Sequence, residues 1–165
     1  LKGLKFRAYN SATIRIAELT GMAPTKIEAA EISQAFSTGA VESMITSPTT
    51  GKNSKIWENG VGYFYDIAAW FPKNMVIVNK DAWNKLDSAT KKLVMSEAAV
   101  AEKKGWELSK KGNVADKKAL ADAGMKVGKV NSALEKHFQK VGATMADEWK
   151  AKAGSRGASV LAAYK

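Results

Sequence analysis

The sequence contains no cysteine. Disulfides, thiolate metal sites and cysteine nucleophiles are therefore excluded. Histidine occurs once, as His137, which leaves no basis for a His-based metal cluster or a Ser-His-Asp triad. No apolar run approaches the roughly 20 residues of a membrane-spanning helix. Phosphate-cradling glycine loops are missing: Gly60 and Gly62 bracket only Val61, and no GxxxxGK motif occurs. The carboxylates are scattered or fall in helical segments, with no close pair in a loop. No catalytic constellation results, and neither a metal nor a cofactor is expected. Arginine is scarce as well: of 26 basic residues only Arg7, Arg15 and Arg156 are arginine.

What is present is a 165-residue chain with 45 % apolar residues, enough to bury a core. The length suits one domain or two small ones. The net charge is +10, with a pI near 9.7. Residues 1–80 hold nine basic and six acidic groups, and residues 81–165 hold 17 and ten. The excess lies in the second half, where Lys alternates with Glu and Asp, as in Glu102-Lys103-Lys104 and Asp116-Lys117-Lys118. That is the pattern of a solvated helix face. A basic module for nucleic acid or an anionic surface is the alternative, but such modules lean on the Arg that is scarce here. The chain opens at Leu1 inside what reads as a turn and strand. A fragment of something longer, or a processed product without a targeting segment, is expected.

The first half alternates between strand and helix. Leu4–Tyr9, Thr25–Glu28 and Val41–Thr46 read as strands. Ala12–Leu19, ending at Gly21, and Ala30–Ser37, stopped by Gly39, read as helices. This β-α-β-α-β rhythm predicts an α/β layer with parallel strands. Ser47–Gly51 reads as a turn-rich loop. Val61–Tyr65 and Asn74–Asn79 read as further strands. The second half is helical. Asp81 is the expected N-cap of a short helix, and Asp87 or Ser88 that of the next. Leu93, Val94, Ala98, Ala101, Trp106 and Leu108 form a helical stripe that Gly105 and Gly112 weaken. Met125–Val130 is a short strand. A helix follows from Asn131 or Ser132 through Leu134, Phe138, Val141, Met145 and Trp149 to Gly154, with a last short helix over 157–163.

Arg7 stands in an apolar strand just before the polar loop Asn10-Ser11. The carboxyl end of a strand is where α/β sheets place ligands. A guanidinium there suits a carboxylate, because its fork donates two parallel hydrogen bonds. A structural salt bridge is the other reading. Arg15, within a helix, reads as a solvated side chain. The hydroxyls of Thr46, Ser47, Thr49 and Thr50 either bind a ligand or cap the following turn. Tyr63, Tyr65, Trp70 and Phe71 either pack the core or wall a pocket. His137 reads as a boundary histidine.

Several motifs follow in order: Leu1-Lys2-Gly3-Leu4-Lys5-Phe6-Arg7, Gly21-Met22-Ala23-Pro24-Thr25, residues 31–42 from Glu31 to Glu42, Lys55-Ile56-Trp57-Glu58, and Val76-Ile77-Val78-Asn79 leading to Trp83. In this order and spacing the whole chain resembles the substrate-binding subunit of TRAP transporters, the DctP-like family. The resemblance implies a non-enzymatic periplasmic protein with two α/β lobes that captures a small organic acid and delivers it to a membrane permease. It implies that this chain is the second lobe (residues 1–80) plus C-terminal bracing helices (residues 81–165), with the N-terminal lobe absent. Self-association or domain swapping through exposed apolar surface is then expected. The family's carboxylate-clamping arginine falls on Arg7. Asn10 matches a polar ligand position of sialic-acid-binding members. Thr46 stands where those members carry Asn, and Ala29 where they carry an aromatic residue, so a sialic-acid specialist is not implied. Metal-assisted members use an acidic residue at the position near Ile45, so the resemblance does not imply a bound cation. The expected ligand-binding set is Arg7, Asn10, Thr46, Ser47, Tyr65 and Trp70.

Overall fold

In the computed structural model, which describes residues 1–72 and 74–163, three short strands lie parallel in the order β2-β1-β3. They are β1 (Lys5–Ala8), β2 (Ala23–Lys26) and β3 (Ser43–Met44). Helix α1 (Ser11–Thr20) joins the first pair. Helix α2 (Ile32–Ser37), entered through a 3-10 turn at Ala29–Glu31, joins β2 to β3. The expected alternation is therefore formed, and it makes an α/β layer. Arg7 pairs with Thr25 on one side and Met44 on the other, in the central strand.

Local chemistry fixes these boundaries. The Asn10 side chain accepts from the Thr13 amide at 2.8 Å, while the Thr13 hydroxyl accepts from the Asn10 amide at 3.1 Å. This reciprocal cap starts α1. Gly21, at φ +75°, ends it in the left-handed conformation that a residue with a Cβ avoids.

Buried apolar side chains form two cores, and the pleat of β1 sends both of its apolar residues to one of them. Phe6 and Ala8 pack with Ala17 and Met22, and Ile45 borders that group. On the other side Ile32, Phe36, Val41, Ile56 and Leu120 form the larger core, bordered by Met44. Neighbouring residues Met44 and Ile45 thus serve opposite faces of one sheet.

A second, two-stranded parallel sheet pairs β4 (Tyr63–Tyr65) with β5 (Lys126–Gly128). The helices that complete the chain are α3 (Pro48–Asn53), α4 (Lys80–Asn84), α5 (Ser88–Asp122) and α6 (Ser132–Ala163). The only residues of α5 that are buried, Asp116 and Leu120, lie near its C-terminal end. Asp116 accepts from the Thr49 hydroxyl at 2.6 Å and pairs with Lys52, tying α5 to α3. Arg15 is not merely solvated. Its guanidinium pairs with Glu148 at 2.6 Å and with Glu18 at 2.9 Å, which fastens α6 to α1 and raises the guanidinium pKa.

Several expectations are corrected. Ser47–Gly51 is not a loop: Ser47 caps α3, and Pro48 at its first position suits a helix start. Residues 74–79 are not a strand. Their apolar side chains are largely exposed, and among the described residues no strand edge lies beside them to complete a ladder. Asn79, not Asp81, caps α4, accepting from the amides of Asp81 and Ala82. Helix α5 runs unbroken through Gly105 and Gly112, and its stripe of Leu93, Val94, Trp106 and Leu108 faces outward rather than into a core. At Gly154 the backbone leaves helical geometry (φ 64°, ψ −149°) and helix resumes beyond it, so the expected break at Gly154 followed by a last helical stretch is present within α6.

Candidate ligand-binding site

The three parallel strands point their carboxyl ends the same way, and the segments that follow them supply Tyr9 and Asn10, Ile27 and Glu28, and Thr46 and Ser47. In open α/β sheets ligands bind at this edge. Arg7 reaches it from the central strand and is only 4 % exposed. Its Nε donates to the Ile27 carbonyl at 2.9 Å, and its guanidinium carbon lies 4.9 Å from the centroid of the Tyr9 ring. Among the described residues no carboxylate pairs with it. Burial lowers its pKa from the usual arginine range, opposed by Tyr9 and by the more distant charge of Glu28. One nitrogen thus anchors the fork, a ring flanks it, and its terminal nitrogens donate to no protein acceptor among the described residues. That arrangement is suited to bidentate binding of a carboxylate.

The other expected site residues are distributed unevenly. The Asn10 side-chain oxygen is committed to capping α1, which leaves its amide group for other partners. The Ser47 hydroxyl accepts from the Thr50 amide and lies 3.1 Å from the Thr50 hydroxyl, so it serves the cap of α3. Thr46 is half-buried at the end of β3. Tyr65 lies on β4, stacked on Tyr63 with ring centroids 6.3 Å apart. Thr46 and Tyr65 line one cleft of about 690 Å³, whereas Arg7, Asn10, Ser47 and Trp70 are outside it. The Trp70 ring is half-buried, and its indole N–H is buried with no acceptor among the described residues.

Sequence reasoning missed Tyr9 and the Ile27 carbonyl as the groups that hold Arg7. The signal for Tyr9 was available, since residues two apart on a strand share a face. A carbonyl contributed by the segment after another strand leaves no such trace.

The family model for bacterial extracellular solute-binding protein, family 7 (DctP), matches residues 1–152. The chain belongs to this family. Among solved structures, this DctP-family chain is similar to DctP6 of Bordetella pertussis, an extracytoplasmic solute receptor binding pyroglutamic acid. The two share 42 % identity with a TM-score of 0.95, covering 99 % of this chain and 54 % of that one. DctP7 of the same organism, also binding pyroglutamic acid, is 40 % identical with a TM-score of 0.96, over 99 % and 54 %. A TRAP solute-binding protein specific for pyroglutamate, from an unidentified marine microbe, is 36 % identical with a TM-score of 0.94, over 99 % and 53 %. No curated protein matches the chain. The chain therefore spans about half the length of these receptors. Its mixed α/β fold is that of TRAP solute-binding proteins, and the family and its structural neighbours are receptors, not enzymes. The family is extracytoplasmic, and no described helix is long and apolar enough to cross a membrane.

Proposed function

We propose that this chain forms the carboxylate-clamping part of a periplasmic TRAP solute receptor, and that its ligand is a small cyclic acid of the pyroglutamate class. The observation that carries the reading is Arg7: a buried guanidinium, steered by Ile27 and Tyr9, with no carboxylate paired to it among the described residues. Leaving such a cation unpaired is costly unless a ligand supplies the anion. A lactam acid offers a carboxylate for Arg7, a ring carbonyl and a ring N–H. The free amide of Asn10 and the hydroxyls of Thr46 and Ser47 complement the ring groups. Trp70, whose indole N–H has no acceptor among the described residues, is the remaining candidate for a ligand contact. Three neighbours that bind pyroglutamate, the lowest of them 36 % identical, support the ligand class. The loaded receptor closes by a hinge motion and delivers the acid to a membrane permease. Because the chain spans about half of such a receptor, it binds weakly on its own.

The test is thermal unfolding of a full-length receptor containing this sequence, against pyroglutamate, malonate, galacturonate and a polyanion. A ligand that binds only the folded state raises the midpoint. A shift with pyroglutamate that Arg7→Ala abolishes supports the reading. A shift with the polyanion alone, falling steeply with salt, refutes it in favour of a basic interaction module.

A further inference from the structure

The turn that holds Arg7 also carries charges that the clamp does not use. Beyond β2 the chain stays beside β1: the Ile27 amide donates to the Ala8 carbonyl at 3.0 Å, and the Ile27 carbonyl accepts from Arg7 Nε. Glu28 is the next residue, so the backbone itself sets it at the rim of the Arg7 site. Its carboxylate makes no ion pair with Arg7. It pairs instead with Lys26 at 3.2 Å, and 68 % of the side chain is open to solvent. The Glu28 amide donates to the Glu31 carboxylate at 3.2 Å, which brings a second acid to the same turn. One lysine and two carboxylates leave the turn with a net negative charge. Burial lowers the Arg7 pKa, and Tyr9 and then Glu28 oppose it through space, so the Glu28 charge is felt at the guanidinium.

We infer that Glu28 is a specificity-determining residue, which admits acids with one negative charge to the Arg7 site and turns away dianions. This role rests on the reading of Arg7 as the carboxylate clamp. The two charges then divide the work. Arg7 is buried and lacks a paired anion among the described residues, so it attracts one carboxylate. Glu28 stands at the rim, where protein on one side screens charge less than bulk water does. A second carboxylate on the same small ligand lies within reach of that field and is repelled. Lys26 offsets Glu28 in part, and Glu31 restores the negative excess. Specificity of this kind comes from repelling the wrong ligand, and the attraction to Arg7 is common to both classes. An uncharged carbonyl or amide in place of the second carboxylate escapes the repulsion, as the ring of a lactam acid does.

The experiment is competition binding at neutral pH on a full-length receptor containing this sequence, with pyroglutamate as the bound acid and glutarate or its monoamide as competitor. The two competitors share a carbon chain and differ by one negative charge. The parent is expected to bind the monoamide about tenfold more tightly than glutarate, and Glu28→Gln to narrow that ratio by about fivefold or more. Glu28 is exposed, so its substitution leaves the fold intact. Glu58→Gln is the control. It removes the same charge from the Lys55 pair in the 3-10 turn Ile56–Asn59, away from the sheet edge, and leaves the ratio unchanged. An unchanged ratio in Glu28→Gln overturns the inference. Loss of pyroglutamate binding in that variant does so too, since Glu28 would then be a ligand contact. A parent that binds pyroglutamate but neither competitor also overturns it, because shape and not charge would select. A parent that binds none of the three acids refutes the clamp at Arg7 and the charge selection with it, which separates the two failures.

Discussion

Replacing Arg7 by methionine separates a guanidinium kept for a ligand from one that holds the fold together. Arg7 makes one charge-assisted hydrogen bond, to the Ile27 carbonyl, and lies over the Tyr9 ring. Losing the first costs about 1.5–3 kcal/mol and losing the second about 1 kcal/mol. Against these stands the penalty of a buried cation without a counter-ion, of several kcal/mol, which an apolar residue of similar length removes. Burial already pulls the Arg7 pKa downward, the sign expected of that penalty. The contributions oppose one another, so the ligand-free Arg7→Met chain is expected within about 1 kcal/mol of the parent in urea unfolding. Ligand response is the opposite case. At one hundred times Kd, pyroglutamate adds about 2.7 kcal/mol to a full-length receptor, which raises Tm by roughly 4 °C for a chain about twice this length. Arg7→Met abolishes that rise. A ligand-free loss of about 3 kcal/mol or more, together with an intact ligand response in the variant, would show that Arg7 is structural and refute the reasoning.

Leu120→Ala should cost about 2.7–5 kcal/mol in urea unfolding, since Leu120 is fully buried beside Ile56 and Gly51. On the same helix Leu108 is 57 % exposed, and Leu108→Ala should change stability by about 0.5 kcal/mol or less. Equal effects would contradict the one-ended anchoring of α5. The carboxyl of Asp116 is held below its usual range by the Lys52 hydrogen bond first and that of Thr49 second. Its folded pKa thus lies under the unfolded value, so its contribution to stability is complete above about pH 4 and is lost as pH falls through and below that value. Urea midpoints measured from about pH 6 down to pH 2 should fall less steeply for Asp116→Asn. Gly21→Ala should cost about 1–2 kcal/mol because of its left-handed backbone. Steric clash contributes little there, since the nearest atom to an added Cβ is Lys2 Cα at 3.6 Å.

The parallel α/β layer was legible because its signals are local. Gly21 and Gly39 mark helix ends by their own chemistry, and Phe6 and Ala8 alternate with the residues that face away. Arg7 was legible as a candidate because a lone charge in an apolar strand is conspicuous. What failed depended on groups distant in sequence. Residues 75–78 carry strand-forming side chains, but a strand exists only beside another edge, and none is beside them among the described residues. The stripe from Leu93 to Leu108 has helical spacing, yet periodicity cannot say whether a partner covers it. Asp116 and Leu120, four residues apart on one face, mark the anchored end of α5. That significance appears only once Thr49 and Lys52 are in place. The loop assigned to Ser47–Gly51 was a misreading of turn chemistry: Ser followed by Pro also begins a helix.

Helix α5 is 35 residues long, about 52 Å at 1.5 Å per residue, and is gripped only at its last turns. Mechanically it is a lever with its fulcrum at Asp116. Ser88 lies about 42 Å from that fulcrum. A tilt of about 10° carries the far tip about 7 Å. A pair of dyes, one near Ser88 and one on α1, would read that swing directly and turn a subtle rearrangement around the anchor into a measurable displacement.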